Sequence, residues 1–296
     1  MKIVRASENK WFGNQLRHRK GKILIKRLME GEAGSPENYG LHIGRESAEF
    51  FSPRHRHPWD QIRYCISGAI PIAPGRRIGQ GEVGYFPEGA HYGPQEGPER
   101  QVMVLQFGGA SGIGYLNRDQ VNNAYDQLNE LGRFENGVFH RERGRGRRNL
   151  DGYEAIWQHI TGKKLVFPPP RYSEPVVMNP AHFAWRPGGA PGIQCRELGR
   201  FSERGTGVAF WRLAPGSRRV LPDDQAMRIV FVTKGRGKCG SKPYLRHTSM
   251  EFGPDEAARF APETETELLC IAIPSVAALD LVLPGISGET FTLIRP

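Results

Sequence analysis

Cysteine is scarce in this 296-residue chain: Cys65, Cys195, Cys239 and Cys270 stand far apart and form no CxxC pair. That spacing excludes a zinc ribbon or a disulfide framework and leaves ordinary reduced core thiols. No run approaches the roughly 18 apolar residues that span a bilayer, and the opening MKIVRASENKWFGNQ has no apolar secretion core. A soluble, cytoplasmic protein without a membrane segment is therefore expected. Neither a kinase-type glycine loop nor a GxSxG elbow occurs, so phosphoryl transfer and serine hydrolysis lack support. Acidic residues are outnumbered, 31 against 41 Lys and Arg, for a net charge of +10. Such an excess is one mark of a nucleic-acid partner. Here much of it sits in Arg141-Glu-Arg-Gly-Arg-Gly-Arg-Arg148, with no interleaved aromatics. That composition suits a solvated loop better than a base-stacking surface, and nucleic acid is not expected as a partner.

What the chain does have is turn residues, 37 Gly and 23 Pro. They punctuate short β-rich runs between Lys22 and Phe107, among them KILIKRL, QIRYCISG, EVGYFPEG and RQVMVLQFGG. The pattern is that of an antiparallel barrel or sandwich. After Gly114 the period changes. Asn117 is placed to cap a helix with Val121, Tyr125, Leu128 and Leu131 on one face, and a second helix is expected over Tyr153 to Ile160. Pro168-Pro169-Pro170 closes this connector, because proline neither continues a helix nor favours one before it. β-type text resumes at Val176, with GVAFWRLAPG, MRIVFVTKGRG and ELLCIAIP as its clearest strands. The expected organisation is an all-β fold of two modules, residues 1–114 and 176–296, joined by a helical, Arg/Gly/Pro-rich connector at 115–175. The apolar tail from Ser275 is expected to pack back on the second module.

The stretch richest in chemistry runs from Pro53 to Gln61. Residues two apart in an extended strand share a face, so His55, His57 and Gln61 point to one side. Imidazole nitrogen suits Fe, Mn, Co, Ni, Cu or Zn, and an amide oxygen adds a weaker ligand. A third imidazole, His91, follows the turn Pro87-Glu-Gly89. Asp60 is a possible substitute for Gln61 but as its neighbour faces the other way. Arg63 continues the alternation and offers an anion a fork, or pairs with an acid at the rim. Trp59 and Tyr85 are candidates to line a cavity, Tyr85 with a catalytic role, against the commoner alternative that barrel aromatics are core. Gln95 is either a supporting polar group or an exposed turn residue.

These residues resemble the two motifs of the cupin superfamily. The first appears as His55-x-His57-xxx-Gln61 followed by Gly68, and the second as Gly81, five residues, Pro87-x-Gly89-x-His91. Gln61 stands where that family usually has Glu, and one residue instead of two separates Gly89 from the histidine. The resemblance implies double-stranded β-helix (jelly-roll) barrels, one divalent transition metal ion, and a homodimer paired through sheets. Aligning the turn glycines Gly68 and Gly235 sets Pro222, Asp224 and Arg228 against His55, His57 and Gln61, and Ala258 against His91. The second barrel is therefore expected to bind no metal.

Three His and one Gln carry no charge, so a divalent ion among them keeps its own and attracts a small anionic organic substrate. The resemblance suggests a dioxygenase first. A redox-neutral isomerase, cyclase, lyase or hydrolase, or a ligand-binding protein without turnover, stands as the alternative.

Overall fold

The computed structural model describes residues 1–14, 21–33, 35, 37–109, 111, 115–203, 205–221, 226–254 and 256–273. Pro222, Asp224 and the tail from Ser275 lie outside the described residues. Two seven-stranded antiparallel sheets dominate. The first is centred on Asp60–Ser67, which pairs with Val83–Phe86 on one side and Arg100–Phe107 on the other. The second is centred on Met227–Lys234 and Thr266–Ile273. Each curls over a smaller sheet to make a barrel: Ala69–Ala73 with Arg76–Gly79 in the first, and a four-stranded sheet from Arg219 to Pro262 in the second.

Alternation along the central strands sorts their side chains. In Asp60–Ser67, Gln61, Arg63 and Cys65 point into the first barrel, while Ile62, Tyr64 and Ile66 point outward. The outward residues are not solvated. Ile62, Met103 and Leu105 pack against Phe231, Leu269 and Ile271, so the two sheets lie back to back in one shared core. Each aliphatic side chain fully buried there contributes roughly 1.5–3 kcal/mol. The sheet faces that the resemblance implied would pair two copies are thus used within one chain.

The two barrels repeat each other down to their irregularities. A register shift between Cys65 and Ser67 against one partner strand recurs between Val232 and Lys234 against the other. Both strands then end at a glycine with positive φ, Gly68 at +77° and Gly235 at +90°. A Cβ on Gly68 would lie 2.8 Å from Glu99 O, and one on Gly235 2.4 Å from Glu265 O, so both turns need glycine. Arg228 occupies the place of Gln61.

Edge strands are exchanged between the halves. Lys2–Arg5, at the start of the chain, pairs with Thr248–Phe252 of the second sheet. Val176–Met178 pairs with Val83–Phe86 of the first. The boundaries at 114 and 176 therefore separate the sequence but not the sheets, because each sheet borrows an edge from the other half.

The connector holds two helices. Helix α1 (Arg118–Asn129) begins at a capping box: Gln120 N–H donates to Asn117 Oδ1 at 2.9 Å, and Asn117 N–H donates to Gln120 Oε1 at 3.0 Å. Helix α2 (Gly152–Thr161) is capped by Asp151 and ends at left-handed Gly162. Tyr125 and Leu128 pack with Phe139, Leu150 and Ile156, a cluster completed by a three-stranded sheet, Gly132–Glu135, Val138–Arg141 and Asn149–Asp151. Sequence periodicity gave the helices but not this sheet, whose strands are too short to show alternation. The arginine loop joins its last two strands, and Arg143, Arg145, Arg147 and Arg148 are exposed there. Among the described residues no helix is long and apolar enough to cross a membrane.

Candidate active site

A cavity of about 140 Å³ lies inside the first barrel. A water occupies about 10–15 Å³ on this measure, so the space holds on the order of ten waters or one small organic molecule. Its walls come from three sources. The sheet contributes His42, Arg63 and Gln106; the segment before the central strand contributes Ser52, His55, His57 and Trp59; the connector closes the mouth with Tyr115, Leu116, Arg118, Val121 and Tyr153. The connector is thus a lid on the first barrel as well as a link to the second.

His55 is held by backbone. Its N–H and C=O exchange hydrogen bonds with Tyr92 at 3.0 and 2.9 Å. The ring Nδ1 lies 2.6 Å from Pro53 O, an acceptor only, which assigns the proton to Nδ1 and leaves Nε2 as the acceptor. Nε2 lies 3.0 Å from the Tyr92 hydroxyl. His57 meets His55 edge to face at 4.9 Å between ring centres and stacks on Trp59 at 4.5 Å. Tyr115 and Tyr153 meet Trp59 edge-on at 5.4 and 4.7 Å, making an aromatic wall.

Tyr92, 1% exposed, is the hub of a buried polar cluster that adjoins the cavity residues His55 and Arg63 without itself lining the cavity. Its oxygen receives Gln61 Nε2 at 3.2 Å and Arg63 Nη2 at 2.8 Å. Gln61 Oε1 in turn accepts from Arg63 Nε at 3.3 Å, Arg63 Nη2 at 2.9 Å and Gln106 Nε2 at 3.2 Å. An amide oxygen with three donors on it is poorly placed as a metal ligand. Gln61 therefore orients Tyr92 and Arg63.

Two predicted residues stand elsewhere. His91 does not line the cavity. It is partly exposed, and its pKa is lowered by partial burial and by the charges of Arg54 and Arg56. The chain turns so that the next residue, Tyr92, faces inward. Tyr85 points to the opposite side of its strand, where it stacks on Phe201 at 4.9 Å and donates to Asp60 Oδ2 at 2.8 Å. The neighbouring residue Phe86 is the one that faces the barrel interior. Asp60 shares the outward side with Tyr85, as its alternation with Gln61 requires, and its other oxygen accepts from Glu88 N at 2.7 Å. Burial pushes the Asp60 carboxyl up to about 7, against the lowering effect of those two hydrogen bonds. Gln95 is 3% exposed and lines the cavity.

The charge of the cavity is positive. Burial holds His42 down at about 3, with Arg118, Arg63 and Arg27 adding to the effect, so its imidazole is neutral. Glu46 is paired with the fully buried Arg100 at 2.5 Å. Arg63 and Arg118 remain as the cations of the wall, which favours an anionic ligand. Arg118 and Ile25 also border a second recess with Phe12, Gly13, Arg27 and Asn122, so Arg118 stands between the cavity and that recess.

His42, Tyr92, Gln106, Arg118, Tyr115 and Tyr153 escaped sequence reading. A signal existed for Tyr92 alone: a two-residue gap after Gly89, as the motif has it, ends on Tyr92. Among the described residues no three His, Cys, Asp or Glu side chains converge to hold a metal ion. His55 nevertheless has the orientation of a metal-ligating imidazole, Nδ1–H held by a carbonyl and Nε2 turned inward. With His57 beside it, the nitrogen donors fit such an ion, whereas Gln61 and His91 do not.

No protein-family model matches this chain. No curated protein matches it either. Solved structures do, at low identity. A putative dioxygenase from Nostoc punctiforme superposes with a TM-score of 0.60 at 9% identity, over 93% of this chain and 83% of that one. HEPD of Streptomyces albus, solved with 2-hydroxyethylphosphonate and Fe(II), gives 0.54 at 12% over 96% and 79%. A variant of oxalate decarboxylase from Bacillus subtilis gives 0.52 at 12% over 93% and 78%. These neighbours are cupin-fold proteins, and this chain has the same fold, two double-stranded β-helix barrels in one polypeptide.

Proposed function

We propose that the first barrel is the active site of a metal-dependent enzyme acting on a small organic anion. One observation carries this reading: His55 is pinned with Nε2 turned into the barrel interior, and its ring shares the cavity wall with His57, Arg63 and Arg118. His55 and His57 supply the nitrogen donors for one divalent transition ion. Such an ion, when bound, supplies a Lewis acid and, where redox-active, electrons for reaction with O2.

The protein's own residues set the rest. Arg63 and Arg118 attract and orient the anion through charge-assisted hydrogen bonds. Trp59, Tyr115 and Tyr153 give its carbon skeleton an apolar wall. Tyr115, Arg118, Val121 and Tyr153 of the connector narrow the mouth and reduce its contact with bulk water, which strengthens each of those contacts. A dioxygenase is the first reading, in keeping with the fold shared with a putative dioxygenase. Gln61, standing where the resembled family usually has Glu, favours redox-neutral chemistry as the second, because an amide brings no charge to tune an oxidisable ion, and the cavity's Glu46 is paired with Arg100.

Protein purified without added metal is expected to contain close to one transition ion per chain by elemental analysis. Protein that holds none and takes up none overturns the metal-dependent reading. Phenolates, diketones and hydroxy acids are then screened in an O2 electrode. Turnover that consumes O2 supports the dioxygenase, and anaerobic turnover at the aerobic rate replaces it with the redox-neutral reaction. A ligand that binds and is recovered unchanged replaces both with a binding protein.

A further inference from the structure

We propose that Tyr92 Oη, in place of the His91 imidazole, is the third protein donor to the metal ion, a proposal that rests on the metal-dependent reading. The backbone carries the first part of the argument. The bridge between His55 and Tyr92 fixes these two residues opposite each other, so their side chains enter the barrel together. His91, one residue earlier, is partly exposed and lies in the field of Arg54 and Arg56, whereas Tyr92 is buried in the barrel interior with Cys65 and Phe86. Bringing it inward would require the Tyr92 bridge to break.

Distance carries the second part. Metal–nitrogen and metal–oxygen bonds are about 2.0–2.2 Å long, so two donors at right angles on one ion stand about 3 Å apart. His55 Nε2 and Tyr92 Oη are 3.0 Å apart. The pair already has the separation of two adjacent ligands, with only a proton between them.

Charge carries the third. His55 and His57 alone leave a divalent ion without an anionic protein ligand, and Gln at position 61 supplies none. A phenolate restores one negative charge and gives a two-nitrogen, one-oxygen set like the two-histidine, one-carboxylate arrangement of non-haem iron sites. Gln61 Nε2 and Arg63 Nη2 both donate to that oxygen, as an anionic ligand atom requires. On ligation the O–H bond breaks, its electron pair stays on oxygen to form the bond to metal, and the proton leaves to solvent. The glutamine that replaces the usual carboxylate thus supports an anionic ligand supplied by another residue.

The test uses the full chain stripped of metal with a chelator and then loaded with ferric ion delivered as its nitrilotriacetate chelate. The readouts are ion per chain after gel filtration and the visible phenolate-to-iron charge-transfer band, which imidazole and amide ligands do not give. Wild type is expected to hold one ion and show the band. Tyr92→Phe should lose the band and bind the ion more than about 100-fold more weakly, since even supporting groups are worth 10–100-fold. His91→Ala should keep both. Tyr92→His, which offers nitrogen in place of oxygen, should recover the ion without the band and shows that the loss in Tyr92→Phe is not misfolding. A band that survives in Tyr92→Phe or vanishes in His91→Ala overturns the assignment. So does wild type that binds one ion with no band, while leaving the metal-dependent reading intact. Wild type that takes up no ion overturns both.

Discussion

The two barrels share a register and differ in what they put inside. Pairing across the central strands sets Arg63 against Val230, Gln106 against Ala272, His42 against Ala209 and Gly44 against Trp211. In the first barrel these positions are polar or empty and surround a cavity. In the second, Trp211 packs with Val230, Val232, Met250, Phe260 and Leu268 in a solid apolar core. A scaffold with its turns, bulge and sheet order intact becomes a vessel or a strut according to a handful of inward residues. The lid repeats the contrast, because its helices cover the mouth of the hollow barrel.

The largest effect expected from this contrast is on function without stability. His57→Ala should abolish turnover and weaken ion binding by more than about 100-fold, with little change in the urea midpoint; the reverse pattern would make His57 a packing residue. Leu268→Ala, deep in the second barrel, should do the opposite. It should cost about 2–5 kcal/mol in a urea titration while the folded fraction keeps its full ion content.

Exchanging the filling residue sharpens the comparison. Gly44→Trp places the side chain of the second barrel in the first, and among the described residues the only side-chain atom within 4 Å of a Cβ at Gly44 is Ile23 Cδ1, at 3.7 Å. Ligand binding, read by calorimetry, should be lost at an overpacking cost of about 1–3 kcal/mol. Unchanged affinity would mean that the ligand binds elsewhere. Arg118→Leu is a milder change, expected to raise KM about tenfold, the worth of roughly one charge-assisted hydrogen bond, with a smaller effect on kcat.

The smallest effect is a slope. Asp60 has its carboxyl raised to about 7 in the fold from an ordinary 3.8. Between those values the unfolded chain ionises it while the folded chain keeps it protonated. Its contribution to stability is therefore full below about pH 4 and is lost as the pH rises to about 7. Asp60→Asn should flatten the dependence of the urea midpoint on pH across that window, and an unaltered slope would show that Asp60 is not its source.

Much of this was legible in the chain itself. Glycines, prolines and alternation gave two β modules, and the match of Gly68 with Gly235 aligned strands whose register shifts coincide residue for residue. Asn117 marked the start of α1, and the inward run of His55, Gln61 and Arg63 followed from alternation near the central strand. The placements of His91 and Tyr85 were less accessible. His91 and Tyr92 are adjacent, and which of them faces inward depends on a single bridge to His55, a contact between segments that periodicity does not report. Tyr85 sits one residue from an inward position, and a one-residue choice in a strand exchanges the faces of a sheet. The lid was out of reach for another reason. Periodicity locates the apolar face of α1 but not the object it covers.

The exchanged edges bear on how the chain matures at the ribosome. Synthesis proceeds from the amino end, yet the first sheet lacks its edge until Val176–Met178 has emerged, and Lys2–Arg5 must wait for Thr248–Phe252. Pairings this distant in sequence close late and slowly. Neither half reaches its final form as a nascent fragment, and the barrel that holds the cavity is completed only by a strand from the half whose core is solid.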